Sequence, residues 1–265
     1  RCFMFWYQDK SLLSTLRQKA EEAHVSSGKG FKPVPGDILI YPTGTTITHQ
    51  IITQARRNTV VKKEKECVHV AIVDTNGRVN EMVGAGFVRR EFDLDGDAPC
   101  IIVYRQPNQE IAQSAAAFAA KIQAARYNLR GTAYAATDLY LRGAISEPDA
   151  SQFKEVSGVL TELRSGSGLP KAFRRMYCSQ FVVLMFALAD VDIRKEEGIT
   201  QEGWSLNLNL RNVTPAELVA RMKEDMACWK QVGFVYKKDD KFFSLPVDGV
   251  PSEKESFEEG WAYCI

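Results

Sequence analysis

The sequence lacks long apolar runs and carries almost no excess of charge. Its longest uninterrupted apolar stretch, residues 181–189, is nine residues long, whereas a transmembrane helix needs about 20, so we predict no membrane span. The 34 basic and 33 acidic residues leave a net charge of +1. Proteins that bind nucleic acid gather a surplus of basic side chains on one face. This balance therefore argues against a nucleic-acid partner.

Cysteine is also scarce. Six cysteines among 265 residues are too few for the disulfide-dense scaffold of a small secreted domain. No C-x-x-C pair occurs, so a thiolate zinc site is not expected. The acidic segment 93–97 suggests calcium, but Ala98 and Tyr104 stand where an EF-hand loop needs glycine and a carboxylate. We therefore expect neither a metal nor a cofactor.

Hydrophobic periodicity runs along almost the whole chain, which argues against disorder. We predict an N-terminal helical extension over 1–34, a central domain over 35–225 and a C-terminal hairpin or extension over 226–265 that packs on the same domain. The patterns predict strands at 37–41, 68–73, 78–83, 87–92 and 100–104, helices at 9–24, 46–57, 109–127, 150–163 and 178–189, another helix from Thr214, loops at 56–65 and around 131–138, and a final hairpin from 229–236 and 241–244.

The strongest β signal is a hairpin. Segments 68–73 and 78–83 are joined by a turn over 74–77 that ends in Asn-Gly, and this dipeptide supplies the positive φ angles of a tight turn. Pairing about that turn sets Glu81 across from the segment that begins with His69. We expect an α+β fold with a four- to six-stranded antiparallel sheet.

Cys178 differs from the other cysteines in its place in the sequence. It follows a loop and begins an apolar helix, where unpaired N–H groups and the helix dipole stabilise a thiolate. Arg174 and Arg175 would act in the same direction. The alternative interpretation is a buried cysteine that fills a helical core.

Only three histidines are available as a base for this thiol. His24 ends the first predicted helix, which suits a C-terminal cap, and His49 lies in a polar segment, which suits a surface position. His69 opens a strand, where an imidazole has either a structural partner or a chemical role. Glu81 across the hairpin would fix its tautomer and stabilise its charged form, although a solvent-facing position is the alternative for Glu81.

Several short segments resemble one known family in their order along the chain. They are Gly36-Asp-Ile-Leu-Ile40, His69-Val-Ala-Ile-Val73, Glu81 ahead of Gly84 and Gly86, Tyr177-Cys-Ser-Gln-Phe-Val182 and Thr214-Pro-Ala-Glu-Leu218. This order resembles the permuted papain-like amidases of the YaeF/YiiX group, within the NlpC-type cysteine peptidase superfamily. In that group the histidine strand precedes the cysteine helix, as it does here, and the similarity spans roughly residues 35–220.

The resemblance implies a permuted papain-like fold, in which an antiparallel sheet packs against the helix that carries the nucleophile. It implies Cys178 as the nucleophile, His69 as the general base and Glu81 as the residue that orients the imidazole. Members of the family often carry glutamate two residues after the cysteine, where this sequence has Gln180.

The resemblance also implies which groups line the cleft. Backbone N–H groups near Cys178 and Ser179 would receive the oxyanion. Asp37 and Tyr41, on the first strand, would line the cleft. The alternative role for Asp37 is a cap on the turn at Pro35 and Gly36.

We therefore expect a cysteine-dependent hydrolase, an amidase or peptidase that works through a thioester on a peptide, peptidoglycan-derived or acylated substrate. An acyltransferase or thioesterase similar to lecithin retinol acyltransferase is an alternative, as is a catalytically silent peptide-binding module. The resemblance is to bacterial proteins and favours a secreted or periplasmic location. The chain begins with Arg1, which agrees with the loss of an upstream signal peptide.

Overall fold

A seven-stranded sheet lies at the centre of the fold. The computed structural model describes residues 33–42, 67–92, 101–142, 145–198, 204–225, 228–238 and 241–246. The strands are β1 (Ile38–Pro42), β2 (Cys67–Val73), β3 (Val79–Val83), β4 (Gly86–Arg90), β5 (Ile101–Arg105), β6 (Arg126–Tyr127), β7 (Arg175–Met176), β8 (Lys230–Lys238) and β9 (Lys241–Pro246). The sheet has the order β4-β3-β2-β1-β5-β8-β9. All its neighbours are antiparallel, whereas β6 and β7 form a separate parallel pair.

Helices complete an α+β fold, as the sequence predicted. In the described part of the chain they are α1 (Gln109–Lys121), α2 (Leu129–Arg142), α3 (Ala150–Arg164), α4 (Cys178–Glu197) and α5 (Pro215–Glu224). The central helix is α4, which is buried without interruption from Cys178 to Val191 and packs against β2, β3, α1 and α3. No helix in these described ranges has the length and apolar character needed to cross a membrane.

The sheet is larger than the four to six strands predicted from the sequence. The predicted C-terminal hairpin is present as β8 and β9, and β8 pairs with β5. The hairpin therefore extends the central sheet. Its two strands account for the difference, because strand pairing across such a sequence distance leaves no local pattern in the sequence.

The predicted loop around Gly131 and Tyr134 is wrong, because α2 occupies that part of the chain. The side chain of Asn128 accepts a hydrogen bond of 2.9 Å from the Gly131 N–H. This bond caps the start of α2 and offsets the low helix propensity of the glycine. The helix predicted before it ends at Lys121 instead of 127.

Some predicted features lie outside the described residues. They are the helices at 9–24 and 46–57, the loop at 56–65, the acidic segment 93–97, and the two histidines His24 and His49.

The Asn-Gly hairpin forms with the register that the sequence indicated. Val73 pairs with Val79, and Ala71 pairs with Glu81. Because side chains alternate along a strand, His69 and Glu81 lie on the same face of the sheet. The turn is stabilised by the Asp74 carboxylate, which accepts hydrogen bonds of 2.8 and 3.0 Å from two N–H groups of the turn.

We predict that Gly36→Ala destabilises the fold much more than Gly77→Ala. Both glycines have positive φ angles, 86° and 74°, which cost an alanine about 1–2 kcal/mol. At Gly36 the added Cβ would also lie 2.4 Å from the carbonyl oxygen of Ala112 in α1, whereas nothing lies within 4 Å at Gly77. Relief of that clash should cost about 1–3 kcal/mol more.

Urea denaturation of the two variants measures both losses in the free energy of unfolding. Equal losses would mean that α1 does not constrain the turn before β1.

Candidate active site

Cys178 is the first residue of α4, where the chain leaves β7 through the N-cap residue Tyr177. Two hydrogen bonds fix this junction: the Tyr177 hydroxyl donates to the Arg211 carbonyl at 3.0 Å, and the Ser179 hydroxyl donates to the Val213 carbonyl at 2.8 Å. The Cys178 side chain is only 3% exposed. Its sulfur therefore has a fixed position, at a helix end whose N–H groups favour a thiolate.

The sheet opens where this helix end meets it. The pairs between β2 and β3 extend only as far as Ala71 and Glu81, so the Val70 N–H is not needed by β3. Together with the N–H of Ser179, it lowers the pKa of the Cys178 thiol. The Cys178 sulfur thus lies beside the part of β2 that β3 leaves unpaired.

His69 lies in this unpaired part of β2, next to Val70, and bonds to both other groups. Its Nε2 atom is 2.6 Å from Oε2 of Glu81, and the imidazole also forms a hydrogen bond with Cys178. Because Nε2 is taken by the carboxylate, Nδ1 is the nitrogen left for the sulfur. The structure therefore brings Cys178, His69 and Glu81 together, in the order sulfur, imidazole, carboxylate.

Arg90 is a site residue that the sequence analysis missed. Its Nε donates to Oε1 of Glu81 at 2.6 Å, so His69 and Arg90 hold the two oxygens of one carboxylate. A terminal nitrogen of Arg90 is 3.5 Å from the Tyr41 hydroxyl. The available signal was its place on the strand after Glu81, but the cross-strand register was needed to use it.

These contacts stabilise the charged forms of His69 and Glu81. Burial alone lowers the pKa of His69, but the charge and hydrogen bond of Cys178 and those of Glu81 raise it to about 10. Burial alone raises the pKa of Glu81, but its bonds to His69 and then Arg90 hold it at about 2.

Cys178 responds in the same way. Burial disfavours its thiolate, but the charge and hydrogen bond of His69, with the N–H groups of Val70 and Ser179, lower the pKa of the thiol below its ordinary value. The raised pKa of the imidazole and the lowered pKa of the thiol both favour a thiolate–imidazolium pair beside an ionised carboxylate.

The structure divides the three predicted cleft residues. The Tyr41 ring lies 5.2 Å from the His69 ring, centroid to centroid, so it belongs to the site. Ser179 contributes its backbone N–H there, while its hydroxyl is bonded elsewhere. Asp37 does not reach the site: it lies before the other end of β1, where it accepts from the Val34 N–H at 2.8 Å and pairs with Arg105 at 2.7 and 2.8 Å. The capping alternative describes it better.

Two further cysteines, Cys67 and Cys228, lie in the described part of the chain. Cys67 is fully buried in the core and Cys228 is half-buried. The Arg174 side chain donates to the Leu169 carbonyl at 3.1 Å. In the described ranges no group of three or more His, Cys, Asp or Glu residues is arranged to hold a metal ion.

Comparisons with models of protein families, with curated proteins and with solved structures found no match for this chain. The interpretation of the site accordingly depends on its own geometry and on the resemblance noted in the sequence.

We predict that iodoacetamide alkylates Cys178 faster than Cys67 or Cys228 at about pH 6, and at a rate that is nearly constant up to about pH 9. An ordinary thiol has a pKa of about 8.5, so its rate rises roughly tenfold per pH unit below that value. The pKa of the Cys178 thiol is lowered by the charge and hydrogen bond of His69, whereas the pKa of Cys228 is raised by burial and by Asp225. Site-resolved mass spectrometry measures the three rates.

The matched variant is His69→Ala, which should restore an ordinary pH dependence at Cys178. If Cys228 reacts first at about pH 6, or if the variant keeps the plateau, the ion pair does not exist.

We predict that Arg90→Gln moves the acid limb of the Cys178 alkylation profile to higher pH by about one unit. Loss of the guanidinium raises the pKa of Glu81, and a protonated Glu81 no longer supports the imidazolium. Arg90→Lys keeps a positive charge and should retain part of the effect.

Arg89→Gln is the control, because Arg89 bonds Asn80 and the carbonyls that end α1, at 2.7–3.3 Å. It should lower stability without moving the limb. An equal shift of the acid limb in the Arg89 variant would show that Arg90 has no specific role in positioning Glu81.

Proposed function

We propose that this chain is a cysteine-dependent hydrolase that cleaves an amide bond, as an amidase or peptidase, through a thioester on Cys178. The observation that carries the proposal is the chain of contacts from thiol to imidazole to a carboxylate whose two oxygens are both held. A nucleophile, a base and an orienting group in hydrogen-bond contact are the general signature of covalent acyl transfer.

The first half of the reaction forms the thioester. The Cys178 thiolate attacks the carbonyl carbon, and the N–H groups at the start of α4 are placed to receive the developing oxyanion. The carbon–nitrogen bond then breaks, and the departing amine takes the proton of the His69 imidazolium. The products of this step are a free amine, a neutral imidazole and an acyl group on sulfur.

The second half consumes water. Neutral His69 takes a proton from a water molecule, whose oxygen attacks the thioester carbon. The carbon–sulfur bond breaks, which releases a carboxylic acid and restores the thiolate and imidazolium. Glu81 keeps the imidazole in one orientation through both halves, and Arg90 keeps Glu81 ionised.

The order of the elements supports a permuted papain-like fold for residues 35–225. The strand with His69 precedes the helix with Cys178, as the resemblance implies, and that helix packs against the antiparallel sheet. The C-terminal hairpin within 226–265 then extends the same sheet. The extension at 1–34 lies almost entirely outside the described residues.

We predict that the protein forms an acyl adduct on Cys178 that clears in water. A panel of peptide amides and activated esters, followed by intact-protein mass spectrometry over a time course, measures its appearance and decay. Cys178→Ser should bind the same peptide amide without cleaving it, and His69→Ala should lower turnover at least about 10³-fold. Cys228→Ala is the matched control and should behave as the unmodified protein.

Other outcomes identify the alternatives. An adduct that persists until an amine or alcohol is added indicates an acyltransferase. Turnover of esters or thioesters alone indicates a thioesterase. No adduct across the panel indicates a peptide-binding module without catalysis.

A further inference from the structure

Two chain segments lack acidic residues, and one of them contains Cys178. Segments 111–137 and 163–189 contain no acidic residue, although the chain has 33 of them, and together they carry seven basic ones. The strands β6 and β7 lie within these segments and pair with each other. The near-neutral net charge therefore hides a local surplus of basic over acidic residues in these two segments.

The pairing places two of these arginines side by side. Arg126 and Arg175 are register partners in parallel strands, so their side chains project to the same face, and both are exposed. Like charges directly opposite each other destabilise a strand pair. Over the described ranges, neither side chain has an ion pair or a hydrogen bond with any residue. The guanidinium groups of Arg126 and Arg175 thus lie on one exposed surface with no counter-charge among the described residues.

Arg130 and two exposed apolar side chains follow directly in α2. Arg130 is exposed, and no partner for its side chain is present in the described residues. Leu129 and Tyr134 are 62% and 64% exposed. We use the term basic rim for Arg126, Arg130 and Arg175. Its position is set by the chain: Arg175 precedes Cys178 by three residues, so their Cα atoms are at most about 10 Å apart.

From this placement we infer that the basic rim selects peptides with an acidic residue about two or three positions from the scissile bond. Guanidinium groups bind carboxylates through paired, charge-assisted hydrogen bonds. An extended peptide advances about 3.3 Å per residue, so three residues span the distance from Cys178 to the rim. The inference rests on the proposed hydrolase and names its substrate class.

An acidic peptide suits the rim better than other anions. A nucleic acid needs an extended basic surface, whereas this rim has three arginines in a chain of net charge +1. A membrane surface needs a broad apolar face beside the charge, whereas Leu129 and Tyr134 are separate side chains at the start of one helix. A single carboxylate flanked by an apolar side chain matches what is exposed.

Cleavage-site profiling on a mixed peptide library tests the inference. In the unmodified protein, we expect Asp and Glu to be enriched about three- to tenfold at two or three residues from the cut, as exposed ion pairs allow. Arg126→Gln with Arg175→Gln should abolish the enrichment, and should raise KM on acidic peptides with little change in kcat. Arg164→Gln is the control, since Arg164 is also exposed but pairs with Asp192 and Glu196.

Each contrary outcome has its own meaning. Cleavage without acidic preference, or a preference that survives the double substitution, overturns the inference but still agrees with the proposed hydrolase activity. Binding to phosphatidylserine vesicles that the double substitution removes, with no acidic preference in cleavage, assigns the rim to a membrane instead. An absence of both cleavage and a Cys178 adduct overturns the inference together with the proposed function.

Discussion

The carboxylate of Glu81 is the group on which the rest of the site depends. It is only 4% exposed, and a carboxylate removed from water is stable as an anion only when it is fully paired. His69 takes one oxygen and Arg90 the other, each at 2.6 Å. The imidazole then keeps its proton, and a protonated imidazole in turn stabilises the thiolate of Cys178. Glu81 and Cys178 are buried, His69 and Arg90 are half-buried, and each charge in the series is supported by the next.

This series also constrains the fold. Glu81 and Arg90 lie on neighbouring strands of one hairpin, and His69 lies on the strand on the other side of Glu81. A slip of one residue in either pairing would turn one side chain to the opposite face. The tight Asn-Gly turn and the Asp74 hydrogen bonds fix the register between β2 and β3, which sets Glu81 relative to His69. The position of the thiol is fixed separately, by the start of α4 and the Ser179 bond to Val213. The geometry of the candidate site is thus held by backbone pairing together with the side-chain bonds of Asp74 and Ser179.

Much of this arrangement could be predicted from the sequence, because its signals are local. The Asn-Gly turn sets the relation of His69 to Glu81, and the loop before an apolar helix marks Cys178. Arg90 could not be predicted in this way, since its contact depends on the register of a second hairpin. The helix at 129–142 was missed because Gly131 resembles a loop residue unless the Asn128 cap is known. The sixth and seventh strands of the sheet depend on a pairing between β5 and β8, which are separated by more than a hundred residues.

A second buried carboxylate shows what makes the first one chemically active. Asp37 is fully buried and pairs with Arg105 as closely as Glu81 pairs with Arg90. Burial nevertheless raises the pKa of Asp37 despite the bonds from Arg105 and from the Val34 N–H, whereas the pKa of Glu81 is lowered. The difference is the additional ionisable partner, His69, which has a thiol beyond it. Asp37 therefore joins a turn to a strand, while the charge of Glu81 acts through His69 on the thiol of Cys178. A buried carboxylate–arginine pair alone indicates structure, and a third, titratable neighbour is what indicates chemistry.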